Sequence, residues 1–142
     1  AASGEVVSGV VVQPDGKLVA ACYTVSAGVN RFALARYLSD GSLDAGFGSG
    51  GKVITNVGAG GSIANDVALQ PDGKVVAAGY AYTGVNTSYN ATNVFAVVRY
   101  QPNGSLDPSF GSGGIVTTNK TSPRASISRA SDSVVTSRTN SK

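Results

Sequence analysis

The sequence lacks histidine, methionine and tryptophan altogether, and Cys22 is its one cysteine. Without histidine, the chain cannot form a Ser-His or Cys-His catalytic pair or a histidine-ligated zinc site, and it has no usual general base near neutral pH. A single cysteine cannot make an intrachain disulfide or a thiolate metal cluster. We therefore predict no metal site of these kinds and assign no catalytic residue.

Long apolar runs and charged side chains are also scarce. No stretch approaches the roughly 20 apolar residues of a membrane helix, so we expect no membrane insertion. Residues 1–4 lack the basic and apolar regions of a signal peptide. Charged residues make up 13% of the chain, and the net charge is +3. The 142 residues are enough for one domain with a modest core.

The positive charge is concentrated near the C-terminus. Residues 1–117 contain six Lys/Arg and seven Asp/Glu, whereas residues 118–142 contain five and one. We expect a Ser/Thr/Arg-rich tail over residues 119–142 that is disordered or adds a strand. Nucleic acid is not expected as a partner, because a solvated end is the commoner role of such a segment.

Two parts of the chain repeat each other. Residues 13–21 (QPDGKLVAA) recur as residues 70–78 (QPDGKVVAA), and residues 32–37 recur as residues 95–100. The first offset is 57 and the second is 63, so six residues are inserted between Tyr80 and Phe95. A repeated period indicates that one supersecondary unit has been copied. The predicted division is a first repeat at 1–57 and a second at 58–118.

Each repeat predicts four strands. In the first repeat they cover residues 6–12, 18–23, 32–38 and 52–55, and in the second 63–69, 75–80, 94–101 and 115–118. The first two strands of each repeat are joined by a Pro-Asp-Gly turn, in which proline presets φ and glycine takes the left-handed position of a hairpin bulge. Some strands are apolar on both faces, which predicts sheets that are covered on both sides.

These motifs together resemble the bacterial delta-60 repeat, a β-propeller repeat. The first copy contains QPDGK, FALARY, DGSLD and FGSGGKV, and the second contains QPDGK, FAVVRY, NGSLD and FGSGGIV. The resemblance covers about residues 6–118 and implies an all-β fold of two four-stranded propeller-type blades. It also implies an extracellular or cell-surface bacterial protein, without a settled enzymatic activity. The copies differ at Gly9 against Asp66 and at Cys22 against Gly79.

Two blades are too few for a closed propeller, which needs about four to eight. Each end blade would leave an apolar face bare. We therefore expect copies of the chain to join head to tail and close a ring, as a trimer or a tetramer. The alternatives are a compact monomer in which the sheets form an eight-stranded β-sandwich, and a sequence that is part of a longer propeller.

Two arginines are predicted to make structural ion pairs. Arg36 and Arg99 alternate in step with neighbouring apolar residues, so each side chain leaves its strand on the face that is expected to be buried. A charge placed there needs a partner of opposite charge. Asp44 and Asp107 are the nearby carboxylates. Asp66, in the first strand of the second repeat, is expected either to cap local backbone amides or to face a central channel and bind a ligand.

The Asp-Gly-Ser turns offer oxygen ligands for a metal ion. The pairs are Asp40 with Asp44 and Asn103 with Asp107. Calcium takes about six to eight oxygens, and these loops lack the ordered ligand series of an EF-hand. We favour turn chemistry, in which the side chains bond their own backbone, over calcium, and expect no cofactor.

The inserted residues belong to a polar loop, 81–93, that suits a glycan. Tyr82, Asn86, Tyr89 and Asn90 are predicted ligand-binding residues, because tyrosine offers a stacking face and asparagine both a donor and an acceptor. The competing interpretation is a polar loop at a blade tip that binds nothing.

The sequence thus predicts a non-enzymatic binding or scaffold module with a glycan as the candidate ligand. The alternative is a small hydrolase that uses Asp and Tyr side chains in a pocket between blades or subunits. The stretch nearest to a nucleophile elbow, GGSIA at residues 60–64, ends in alanine, and no histidine is available as a base.

Overall fold

The computed structural model describes residues 4–84 and 93–119. In these ranges the chain forms two antiparallel sheets of four strands and no helix, hence none that could cross a membrane. The first sheet contains β1 (Val6–Val12), β2 (Leu18–Ser26), β3 (Val29–Tyr37) and β4 (Lys52–Thr55). The second contains β5 (Ser62–Leu69), β6 (Val75–Tyr82), β7 (Asn93–Tyr100) and β8 (Ile115–Thr118). The prediction of two four-stranded blades is confirmed.

Each sheet is a meander that begins with a Pro-Asp-Gly hairpin. The strands pair in sequence order, β1-β2-β3-β4 and β5-β6-β7-β8. Gly16 and Gly73 have φ values of 86° and 87°, a left-handed conformation that glycine adopts without steric cost. In the first turn, Asp15 Oδ1 accepts a hydrogen bond from Lys17 N at 3.1 Å. The hairpins predicted from the sequence are therefore present in both repeats.

The connection between β2 and β3 is shorter than the sequence predicts. The strands continue to Ser26 and Val29, which pair with each other, so only Ala27 and Gly28 form the turn. Their φ values of 52° and 77° are the two positive values that a type I′ turn requires. Alanine is an unusual residue at such a position, which is why local turn chemistry did not identify this hairpin.

The two faces of each sheet carry different side chains. We call one the arginine face; its residues on β3 and β7 are Phe32, Leu34 and Arg36, or Phe95, Val97 and Arg99. We call the other the tyrosine face; its residues on the same strands are Ala33, Ala35 and Tyr37, or Ala96, Val98 and Tyr100. This division follows from the strand period of two residues.

The core lies where the arginine face of the first sheet packs against the tyrosine face of the second. Phe32, Leu34, Val98 and Tyr100 are buried together there, and Phe47 joins them from the loop before β4. Because unlike faces meet, the sheets are related as successive propeller blades. They are not the halves of a symmetric sandwich, in which like faces would meet.

Within the described residues, each sheet packs against the other through one face, and its second face is the bare apolar face expected of an end blade. On the tyrosine face of the first sheet, Val10 is 59% exposed, whereas its repeat counterpart Val67, inside the core, is 6% exposed. On the arginine face of the second sheet, Phe95 is half-buried, whereas its counterpart Phe32 is fully buried. The counterparts are the same residue type, so the difference in their exposure comes from which face of each sheet packs against the other sheet.

Candidate functional site

Each sheet carries a cluster of one aspartate and two cations beside its arginine face. Arg36 Nε donates to Asp44 Oδ2 at 2.8 Å, and Lys17 Nζ lies 3.3 Å from the same oxygen. The second sheet repeats the arrangement, with Arg99 Nε at 2.8 Å and Lys74 Nζ at 3.0 Å from Asp107 Oδ2. The structure thus brings together all four residues of the predicted ion pairs.

The lysines of the clusters were not predicted as partners. Lys17 and Lys74 end the QPDGK motif in both repeats, and this repetition was the signal that could have identified them. Each hairpin carries its lysine over the aspartate that follows β3 or β7, a distance of 27 or 33 residues along the chain. Sequence spacing alone does not reveal such a contact.

The arginines also lie over aromatic rings. The Arg36 guanidinium carbon is 4.6 Å from the centre of the Phe47 ring, and that of Arg99 is 4.6 Å from the centre of the Phe110 ring. A guanidinium in this position is attracted by the negative face of the ring. Each arginine is therefore held by a carboxylate along its edge and by a ring beneath its plane.

The carboxylates of the clusters are held in the ionised form. The Gly46 amide, at 3.0 Å, lowers the pKa of Asp44, and Lys17 and Arg36 add to the effect. The Ser109 hydroxyl, at 2.6 Å, is the largest cause that brings the pKa of Asp107 far below its usual range, followed by Lys74. A carboxyl with a lowered pKa carries no proton at neutral pH, so neither aspartate is suited to act as a general acid there.

Replacement of Asp107 is expected to weaken the dependence of stability on acid pH. A carboxyl with a lowered pKa in the folded state stabilises the fold above about pH 4, the ordinary pKa, and this contribution is lost as the pH falls further. Asp107→Asn should therefore lower Tm at pH 7 and flatten the fall of Tm between about pH 4 and pH 2. Calorimetry across this range measures both effects; an unchanged acid slope would contradict the assignment.

The turn at residues 102–104 of the second sheet docks on the first sheet, and we call this contact the joint. The joint consists of the three bonds around this turn and the ends of the strands beside it: Arg36 Nη1 to Pro102 O (2.6 Å), Gly48 N to Asn103 O (2.8 Å), and the bond shared by the hydroxyls of Thr55 and Tyr100 (2.7 Å). A further bond between the sheets, from the Phe32 amide to Ser62 Oγ, lies outside the joint. The joint therefore combines a charged donor, a backbone amide and a buried pair of hydroxyls.

Gly104 lets the turn approach this closely. A Cβ atom at Gly104 would lie 3.0 Å from the Gly48 nitrogen and 3.1 Å from the Phe47 ring, and its φ of +90° is one that other residues rarely adopt. Its repeat counterpart Gly41 has a φ of +88°, but among the described residues no other part of the chain comes within 4 Å of the corresponding Cβ position. The same backbone turn is packed in one repeat and open in the other.

The sequence did not identify the polar side chains that join the sheets. Burial raises the pKa of Tyr100 to about 12, and its hydroxyl has Thr55 as its partner. Ser62 Oγ accepts a bond from the Phe32 amide at 3.2 Å. These pairs are 30 or 45 residues apart along the chain, and no local motif relates them.

Asp66 lies at a β-bulge in β5, where the register with β6 shifts between Ala64 and Asp66. Its side chain is exposed, and Oδ1 accepts a hydrogen bond from the Val67 amide at 2.9 Å. Gly9 of the first sheet faces it, with the position of a Cβ 3.4 Å from Asp66 Oδ1. Of the two roles predicted for Asp66, the structure therefore shows the contact with a local backbone amide.

The polar loop is described only at its two ends. The Tyr82 ring lies edge-to-face against the Tyr80 ring, with centres 5.5 Å apart and planes at 90°. Asn86, Tyr89 and Asn90 lie outside the described residues. Of the predicted ligand-binding residues, the structure therefore describes Tyr82, at the start of the loop, and Asp66, which lies in β5.

The Asp-Gly-Ser turn at residues 40–42 and the Asn-Gly-Ser turn at residues 103–105 bond their own side-chain oxygens. Asp40 Oδ1 accepts bonds from the Ser42 amide at 3.0 Å and the Ser42 hydroxyl at 2.6 Å, and Asn103 does the same with Ser105. Over residues 4–84 and 93–119, no three His, Cys, Asp or Glu side chains group as they would to hold a metal ion. The turn chemistry accounts for Asp40 and Asn103.

A family model described as a domain of unknown function (DUF5122) beta-propeller matches residues 13–47 and 70–110. The two matches begin at the QPDGK motifs and end at Phe47 and Phe110, so they select the same units as the internal repeat. Comparison with curated proteins and with solved structures found no match. The matched segments cover more than half of the chain, and with the two blades of the fold they establish that it belongs to this β-propeller family.

Proposed function

We propose that the protein is a non-enzymatic scaffold module whose two blades are completed to a closed propeller by further copies of itself. The observation that carries this proposal is the pairing of unlike faces. Over residues 4–84 and 93–119, nothing covers the tyrosine face of the first sheet or the arginine face of the second, and these are the two kinds of face that pack together inside the chain.

Self-assembly would remove an unfavourable exposure of apolar surface. Val7, Val10 and Val12 on the first sheet are all exposed by more than half, and burial of apolar area is worth about 25 cal/mol per Å². A contact between unlike faces is heterologous, so it leaves one free face on each new copy until a ring closes. Three or four copies would supply about six or eight blades, within the range of closed propellers.

Light scattering of the purified chain tests this proposal. At rising protein concentration, we expect a mass of three or four times the 14.2 kDa of one chain. The expected species is discrete, because a closed ring has no free face left. A mass of one chain at every concentration up to about 1 mM would overturn the proposal, since it would leave each contact less than about 4 kcal/mol of binding free energy.

As the ligand of the scaffold we propose a glycan, bound at the loop between β6 and β7 on the outside of a bacterial cell. The support is the Tyr80–Tyr82 ring pair at the start of this loop and the amide-rich sequence that follows it. An aromatic ring held by a second ring offers a fixed stacking surface to a sugar. The resemblance to repeats of surface and secreted proteins supports the location.

Tyr82 is expected to decide the glycan affinity. On a glycan array, Tyr82→Ala should lose at least tenfold in signal, whereas Tyr82→Phe should keep most of it, because phenylalanine retains the stacking ring. No turnover of a bound sugar is expected. Equal binding by wild type and Tyr82→Ala, or binding of no glycan by the wild type, would contradict the proposed ligand and leave the assembly proposal standing.

A further inference from the structure

We infer that a second copy of this chain docks through a repetition of the joint, with the turn at residues 39–41 of one copy seated on the arginine face of the next copy's second sheet. This inference rests on the proposed assembly and specifies its contact. The turn at 39–41 is the repeat counterpart of the turn at 102–104, and it is exposed, whereas Gly104 is buried.

The groups that form the joint all have counterparts on the free faces. On the side that receives the turn, the counterparts are Arg99 for Arg36, Gly111 for Gly48 and Thr118 for Thr55. On the side that carries the turn, they are Ser39 for Pro102, Asp40 for Asn103 and Tyr37 for Tyr100. The hydroxyl pair is kept by residue type, and the other acceptors are backbone carbonyls, which every residue provides. The expected bonds between copies are therefore Arg99 to Ser39 O, Gly111 N to Asp40 O, and Thr118 with Tyr37.

The donor side is already arranged for this contact. Arg99 is oriented by Asp107 and by the Phe110 ring at the same distances, 2.8 Å and 4.6 Å, that hold Arg36 in the joint. An arginine held in one orientation loses little freedom when a carbonyl binds it. The docking surface thus needs no rearrangement of its charged group.

The turn side provides the recess. Gly41 has nearly the φ of Gly104, and no described residue fills the space at its Cβ position, whereas at Gly104 that space is filled by Val53, Phe47 and Gly48. In the docked copy the counterparts of these three residues, Val116, Phe110 and Gly111, would fill it. Outside the joint, one side-chain acceptor between the sheets is replaced by a different residue type, because Glu5 stands where Ser62 accepts the Phe32 amide. A carboxylate at that position is also an acceptor.

The contact is tested first by Gly41→Ala. The added Cβ should occupy the recess and weaken association at least tenfold, measured by sedimentation across a concentration series. Gly28→Ala is the matched control: Gly28 also has a positive φ, +77°, and no described neighbour within 4 Å of its Cβ position, but it lies in the β2–β3 hairpin. It should carry a similar cost in stability and leave association unchanged. Circular dichroism verifies that both variants are folded.

A mixing experiment tests the direction of the contact. Val10→Glu places a charge on the free tyrosine face, and Val97→Glu places one on the free arginine face. Each variant alone should remain a monomer, and their mixture should form a one-to-one dimer through the two faces left intact. Cys22 lies on the tyrosine face of the first sheet, so in the mixture the Cys22 of the Val97→Glu chain should react more slowly with a thiol reagent than it does in that variant alone, and the Cys22 of the Val10→Glu chain should not.

The outcomes separate the two proposals. A wild type that remains a monomer overturns both the assembly and this contact. A wild type that assembles, with Gly41→Ala associating as strongly as wild type and no dimer in the mixture, overturns the contact and leaves the assembly standing. A dimer formed by either glutamate variant alone would show that like faces meet and would also overturn it.

Discussion

Phe32→Ala is expected to lower the free energy of unfolding by about 3–5 kcal/mol, the cost of removing a fully buried phenylalanine side chain. Phe32 has no exposed surface and lies in the core between the two sheets. The deletion would leave a cavity where the sheets meet, because strands that are paired on both sides cannot collapse into it. Urea unfolding followed by circular dichroism, on protein dilute enough to be monomeric, measures the change.

Phe95→Ala is the matched control, since it is the same substitution at the repeat counterpart. Phe95 is half-buried on the free arginine face of the second sheet, so its removal should cost only about 1–2 kcal/mol. The ratio of the two effects reports which arginine face is covered in a single chain. Equal losses of stability would contradict the stacking order of the sheets.

Tyr100 is expected to make the fold sensitive to alkaline pH. Burial raises its pKa to about 12 in the folded chain, whereas a tyrosine in the unfolded chain ionises near pH 10. The unfolded state therefore loses its proton first, and the stability that Tyr100 contributes below pH 10 is lost as the pH rises toward 12. Two pKa units correspond to about 2–3 kcal/mol. Urea unfolding at intervals from pH 8 to pH 12 should show this decline.

Tyr100→Phe should reduce that alkaline decline and should cost about 1–2 kcal/mol at pH 8, because the buried Thr55 hydroxyl loses its partner. The decline should not vanish, since burial also raises the pKa of Tyr80 to about 12. Tyr37→Phe, at the half-buried counterpart, should leave the stability of the monomer at pH 8 unchanged. A Tyr100→Phe variant with the full alkaline decline would refute the role of the buried hydroxyl.

The sequence predicted those parts of the structure that depend on neighbouring residues. The Pro-Asp-Gly turns, the strands that enter and leave them, and the pairing of Arg36 with Asp44 all depend on groups within about ten residues of each other. The repetition of these motifs doubled the evidence for each. The Ala27–Gly28 turn was missed because its first residue is atypical for that conformation.

The candidate site was predicted less completely. Lys17 was not assigned to the Asp44 cluster, and Thr55 was not assigned to Tyr100, because these contacts are made between hairpins or between sheets. Each of these residues occurs twice in the sequence, as Lys17 and Lys74 and as Thr55 and Thr118, at equivalent positions of the two repeats. Both lysines contact their aspartate, but Thr55 is buried and Thr118 is exposed, and nothing in the local pattern distinguishes the two threonines.

By itself, the sequence determined that two copies of one four-stranded unit exist and that each unit is apolar on both faces. Only the tertiary structure decided that the arginine face of the first unit meets the tyrosine face of the second. The physical reason is that hydrophobic burial is non-directional. An apolar strand pattern indicates that a face will be buried, but it does not indicate which surface packs against it. That surface is determined by the fit of the opposing turn, as at Gly104, and by donors and acceptors more than 40 residues apart.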